Sequence, residues 1–240
     1  MGDSGGTGRP RLWPYSILAP VVFNIGALVA AGGLFLVDFL RADGVGVLQP
    51  DFEELQFAIS VMVFLLEWVF AGMLIRGYRR SSSSLRGLMA PQTSRDEPDT
   101  FNWQSALAMT LAFNAVFAIY IIMLRLGRPD LSYVDMPRWQ KGFMLVLTPL
   151  TAAFTEELIW RGHLIHGWTD RGKPVWQAVV LSALSFSMIH GVFLPARLVV
   201  TFLIGLITGA YYARERRLLP LMAAHWLVDV WSFALFLFLA

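Results

Sequence analysis

Thr155-Glu156-Glu157-Leu158-Ile159-Trp160-Arg161 follows the apolar run Phe143–Phe154, so two adjacent acids arrive where a lipid-embedded helix is expected. A carboxylate at mid-bilayer costs about 2.5–3.5 kcal/mol on insertion scales, so acids there face a cavity or a partner. On a helix Glu157 and Arg161 are four residues apart and share a face, so they can pair directly. Glu156 sits about 100° round the helix from Glu157. One acid therefore has a built-in partner and the other is left for chemistry.

The composition around this stretch fits lipid. The 240 residues are 56% hydrophobic and 15% charged, with mean hydropathy +0.57; soluble domains run at about 45–50% apolar and about 25% charged. The expected class is all-α, a polytopic transmembrane helical bundle of about seven spans, within a range of roughly six to eight. A net charge of +2 gives no basis for nucleic-acid binding. The absence of cysteine excludes disulfides, thiol nucleophiles and Cys-based metal sites. The first apolar segment exceeds the usual signal-peptide core of about 7–15 residues and reads as an uncleaved span. Gly2 is no myristoylation site, because Gly6 stands where Ser or Thr is required.

Apolar runs predict spans at 15–39, 56–75, 103–124, 142–160, 175–194, 196–213 and 219–239. The expected organisation is a cytoplasmic tail (1–14), an N-terminal transmembrane pair (15–100) with a polar linker (76–102), and a catalytic bundle (103–240). The linker, with Arg79-Arg80, the run of four serines Ser81–Ser84 and two prolines, is expected to be mobile. A second connection, 125–141, is expected to carry a short interfacial helix around Trp139. Pro195 and Pro220 mark helix starts or breaks. Placing the N-terminus in the cytoplasm puts most of the 19 Lys and Arg residues on that side, although 125–141 is basic on the other. A multi-pass protein of a bacterial plasma membrane is the expected setting, with membrane lipid as its surround. Oligomeric state is left open.

Three polar constellations fall inside or at the edge of these spans: Glu156-Glu157 with Arg161, then His190 with Phe186 one turn before it, then His225 with Asp229. Brought together they would form a wet site in hydrocarbon, suited to hydrolysis. A Glu there can act as general base on water, and imidazoles can donate to an oxyanion or shuttle a proton. The alternative is a divalent metal, zinc for instance, held by Glu156, His190 and His225, although no local His-Glu-x-x-His signature supports it. A non-catalytic transporter, proton relay or scaffold uses the same residue types; the second Glu with its Arg brace is what a relay does not need.

In order and on successive predicted helices, Glu156-Glu157-x-x-x-Arg161, Phe186-x-x-x-His190 and His225-x-x-x-Asp229 resemble the three motifs of the CPBP family. These are the CAAX-processing and bacteriocin-processing (Abi) intramembrane endopeptidases. The resemblance spans about residues 142–232. It implies that Glu156 activates water, that His190 helps to hold or polarise it, and that His225 with Asp229 lines the oxyanion side. Glu157 and Arg161 would brace the site. The implied substrate is a protein or peptide cut at a membrane-associated position: a prenylated C-terminus, a leader peptide or a sorting signal. Family members that cleave CAAX proteins carry Asn where this chain has Asp229. An ionised carboxylate cannot donate to an oxyanion, so Asp229 is expected to orient the His225 tautomer or to bind metal.

Several residues stand outside the motifs. His163 and His166 read as interfacial histidines near a belt containing Trp160 and Trp168, or as an addition to a metal site. Glu67, inside Val61–Ile75, is expected to line a substrate entrance or to pair with Arg76 or another span. Asn24 and Asn114 are expected to hydrogen-bond between helices, and Gly205 with Gly209 to mark a close helix contact.

Overall fold

The computed structural model describes residues 13–41, 52–80, 89, 101–126, 136–191 and 195–238, and among them there is no strand. Seven long helical segments make up an all-α bundle: α1 (Trp13–Arg41), α2 (Phe52–Arg80), α3 (Trp103–Leu126), α4 (Arg138–Thr169), α5 (Val175–Gly191), α6 (Pro195–Glu215) and α7 (Leu219–Phe238). Four are long and apolar enough to cross a membrane, α1, α2, α4 and α6. The apolar stretches in α3, α5 and α7 are shorter, at 10–17 residues. Leu28, Val29, Leu36 and Leu40 of α1 are all more than half exposed, as an integral membrane protein needs on a lipid-facing flank. The N-terminal tail, most of the serine-rich linker and residues 127–135 lie outside the described residues.

α4 departs most from expectation. It begins at Arg138, so Trp139 sits in its first turn and not on a separate interfacial helix. It also runs past residue 160 to Thr169, because the polar residues that look like a helix end find partners inside the protein. Two stretches, Phe143–Leu147 and Glu157–Ile165, are π-helical, and such widened turns often occur at functional sites. All nine residues from Glu157 to Ile165 are buried. Trp160 is fully buried, not in an interfacial belt: its indole N–H donates to Ser185 Oγ at 2.9 Å, and its ring meets Phe23 and Phe186 edge-on. His163 is buried too, with Nδ1 3.0 Å from the Tyr78 hydroxyl.

Pro20 shows how the sequence ties α1 to this core. Lacking an N–H, it cannot bond the carbonyl of Ser16, four residues earlier. That carbonyl instead accepts from Ser185 Oγ at 2.8 Å, and Ser185 in turn accepts from Trp160. Asn24 extends the same seam by donating to the Met188 carbonyl at 3.0 Å. Asn114, by contrast, bonds back to Thr110 of its own helix at 2.8 Å.

α5 and α6 pack most extensively. A Cβ on Gly205 would lie 2.8 Å from the Ala183 Cα, and one on Gly209 3.1 Å from a Val179 methyl. The first clash is with backbone, which cannot rotate away. Gly205→Ala is therefore expected to destabilise the bundle by about 1–3 kcal/mol, the usual cost of overpacking. Thermal unfolding in detergent would read this as a clear fall in Tm; an unchanged Tm would mean that the two helices separate freely.

Candidate active site

α4 supplies three charged side chains from adjoining turns. Arg161 and Glu157 are both fully buried, with Arg161 Nε 3.3 Å from Glu157 Oε2. The guanidinium also donates to Thr208 Oγ1 of α6 from Nε at 2.9 Å and Nη2 at 2.6 Å. Thr208 can accept both because its own proton goes to the Ile204 carbonyl. The Phe186 ring covers the guanidinium at 4.1 Å, a placement favourable to a desolvated cation. Arg161 therefore braces α4 against α5 and α6 deep in the bundle.

Glu157 has a second duty. Its Oε1 lies 2.9 Å from His225 Nδ1 of α7. A carboxylate only accepts, so Nδ1 carries the proton and Nε2 is turned toward Glu156 and Asp229. The distances are 3.7 Å to Glu156 Oε2 and 3.4 Å to Asp229 Oδ2. The tautomer-setting contact is thus made by Glu157, where the sequence pointed to Asp229.

His190 faces Glu156 from the other side. Its Nδ1 lies 3.0 Å from the Phe186 carbonyl, an acceptor, so Nδ1 again holds the proton. In the neutral ring Nε2 is then an acceptor, 3.7 Å from Glu156 Oε2. Two acceptors at that spacing do not bond each other, but one water can donate a hydrogen to each. With all carboxyls ionised, Glu156 Oε2 has no donor within reach among the described residues.

The cluster opens on one side. Glu156 is 4% exposed, whereas the side chains of His190 and Asp229 are 21% and 26% exposed. A reactant reaching Glu156 would therefore pass between α5 and α7. The structure brings Glu156, Glu157, Arg161, His190, His225 and Asp229 into one cluster. It leaves His163 with Tyr78, and it places His166 beside Arg216 (3.2 Å) and Asp170 (3.4 Å).

One residue goes beyond the motifs. Glu67 of α2 is 2% exposed, and its carboxyl is in hydrogen-bond contact with that of Glu156. Its partner is thus an acid, not Arg76. The signal available in the sequence is its register: Phe70, Ala71, Leu74 and Tyr78 follow at helical spacing, and all are buried, so Glu67 lies on the core-facing stripe.

Among the described residues no group of three or more His, Asp or Glu side chains is disposed to hold a metal ion. The zinc arrangement through Glu156, His190 and His225 therefore draws no support from these side chains.

Residues 138–231 match the family model described as type II CAAX prenyl endopeptidase Rce1-like. No curated protein and no solved structure matches the chain. The matched segment holds α4, α5, α6 and most of α7, hence every residue of the cluster except Glu67. The family is the one to which the three motifs point, and it supports an endopeptidase of the CAAX type in general terms.

Proposed function

Taking residues 138–231 as an Rce1-like segment, we propose that the chain is an intramembrane endopeptidase in which Glu156 activates water for attack on a peptide bond. The observation that carries this reading is the position of Glu156 Oε2, 3.7 Å from Nε2 of both His190 and His225. A water between Glu156 and His190 would be held by its two hydrogens. Its oxygen lone pair would then face the open side, where a substrate carbonyl can approach. As the C–O bond forms, Glu156 takes the proton and can later pass it to the leaving amine.

His225 faces the developing oxyanion. To donate from Nε2 it must carry protons on both nitrogens, and Glu157 and Asp229 on either side supply the counter-charge for that form. Asp229 then acts on the His225 ring; it does not itself donate to the oxyanion. Glu157 and Arg161 fix the ring's orientation. The substrate is a protein or peptide that presents its scissile bond from the membrane. With the N-terminus cytoplasmic, as the basic residues suggest, a reporter fused after residue 90 would be accessible from that side.

The test is a comparison of membrane proteomes from cells carrying the wild-type chain and Glu156→Gln. The expected result is a new terminus present only with the wild type; identical termini would end the reading. With such a substrate in hand, activity is expected to survive exhaustive chelation. Loss restored by added zinc would move the mechanism to the metal-dependent form.

A further inference from the structure

Glu67 belongs to α2, outside the matched segment, yet meets Glu156 inside the cluster. Its neighbours fix it there. Trp68 donates from its indole N–H to Thr151 Oγ1 at 3.3 Å and stacks on Phe154 of α4. The buried stripe of Phe70, Ala71, Leu74 and Tyr78 continues along the same face of α2. Glu67 therefore cannot swing to solvent without lifting the helix.

Two ionised carboxylates are acceptors only and repel at contact. A hydrogen bond between carboxyl groups needs a proton on one of them. The cluster holds four acids, Glu67, Glu156, Glu157 and Asp229; the Arg161 guanidinium is engaged by Glu157 and Thr208, and the His225 ring lies against Glu157 and Asp229. A proton between Glu67 and Glu156 removes the repulsion.

We propose that Glu67 is a positioning residue for Glu156: the two carboxyl groups share one proton in a hydrogen bond that aims Glu156 at the space between His190 and His225. The catalytic part of this assignment rests on the endopeptidase reading; the shared proton does not. Without the bond, the Glu156 carboxylate can rotate toward either imidazole, and water is no longer held in line with a carbonyl.

The experiment uses the full chain, purified in detergent, with two substitutions. Glu67→Gln keeps the size and an N–H donor; Glu67→Leu keeps the bulk and removes the donor. On a cleaved peptide, Glu67→Leu is expected to lower kcat by about 10–100-fold, the range for residues that orient a reacting group, with KM unchanged. Glu67→Gln is expected to recover most of that loss, a rescue that simple space-filling would not give. Infrared spectra supply a readout independent of substrate. The wild type should show a protonated-carboxyl C=O stretch, sensitive to deuterium oxide, that disappears in Glu67→Gln and shifts in Glu156→Gln.

Wild-type kcat in Glu67→Leu, or a carboxyl band unchanged in Glu67→Gln, would overturn the proposal. If the wild type cleaves nothing, the endopeptidase reading fails while the infrared band still decides the pair. If Glu67→Leu does not fold, Glu67→Gln decides it by the same band.

Discussion

Glu156→Gln is expected to lower kcat by about 10²–10⁴-fold, the range that general-base catalysis contributes. Gln keeps the shape of Glu and can still hold a water, but its amide cannot take the proton as the C–O bond forms. Glu156 makes no ion pair with Arg161; the guanidinium is held by Glu157 and Thr208. Removing one carboxylate from a crowd of four should therefore leave the fold intact, and circular dichroism and Tm should stay close to wild type. The kinetic signature matters as much as the size of the loss. A fall in kcat at constant KM marks a contribution made in the transition state, whereas a rise in KM alone would make Glu156 a binding residue. Undiminished turnover would falsify the role given to this carboxylate.

The second large effect is on stability. Arg161→Leu leaves the fully buried Glu157 without its cation and Thr208 without its donors. Breaking a buried pair from one side costs about 3–5 kcal/mol, because the remaining charge stays desolvated. Thermal unfolding in detergent should show a large drop in Tm. The double variant Arg161→Leu with Glu157→Gln removes both charges together and should recover much of that loss. It should not recover activity, because an amide oxygen accepts more weakly from His225 than the carboxylate at 2.9 Å. Stability and turnover would thus part company. An Arg161→Leu protein as stable as wild type would mean that the pair is solvated, contrary to its burial.

Most of the fold was legible because lipid imposes a strong rule: spans must be long, apolar and helical. All seven segments appear as helices at the expected positions, four of them long and apolar enough to cross a membrane. Their ends were harder to read, and α4 shows why. Arg161 and His163 look like residues at a membrane surface, but Thr208 and Tyr78 satisfy them inside the bundle. Those partners lie 47 and 85 residues away in the chain, and no local pattern announces them. Trp160 was misplaced for the same reason, since its partner Ser185 carries no signal of its own. The π-helical turn leaves no trace in hydropathy, because it changes the hydrogen-bond spacing without changing composition. The acids and imidazoles of the site were legible as residues whose burial needs a reason. Glu67 was legible in that sense as well, but its partner was not: the pairing of two acids becomes visible only when α2 is laid against α4.

Pro20 carries a consequence for anyone dissecting this chain. A fragment trimmed to the family-like segment would lose the Ser16 carbonyl, leaving the Ser185 hydroxyl to turn back on its own helix and so disturbing the acceptor that it offers the Trp160 indole. The first two helices are thus more than a membrane leash for a self-sufficient protease. They finish the inner wall against which the reacting groups are seated, and a trimmed version would be expected to need them supplied in trans.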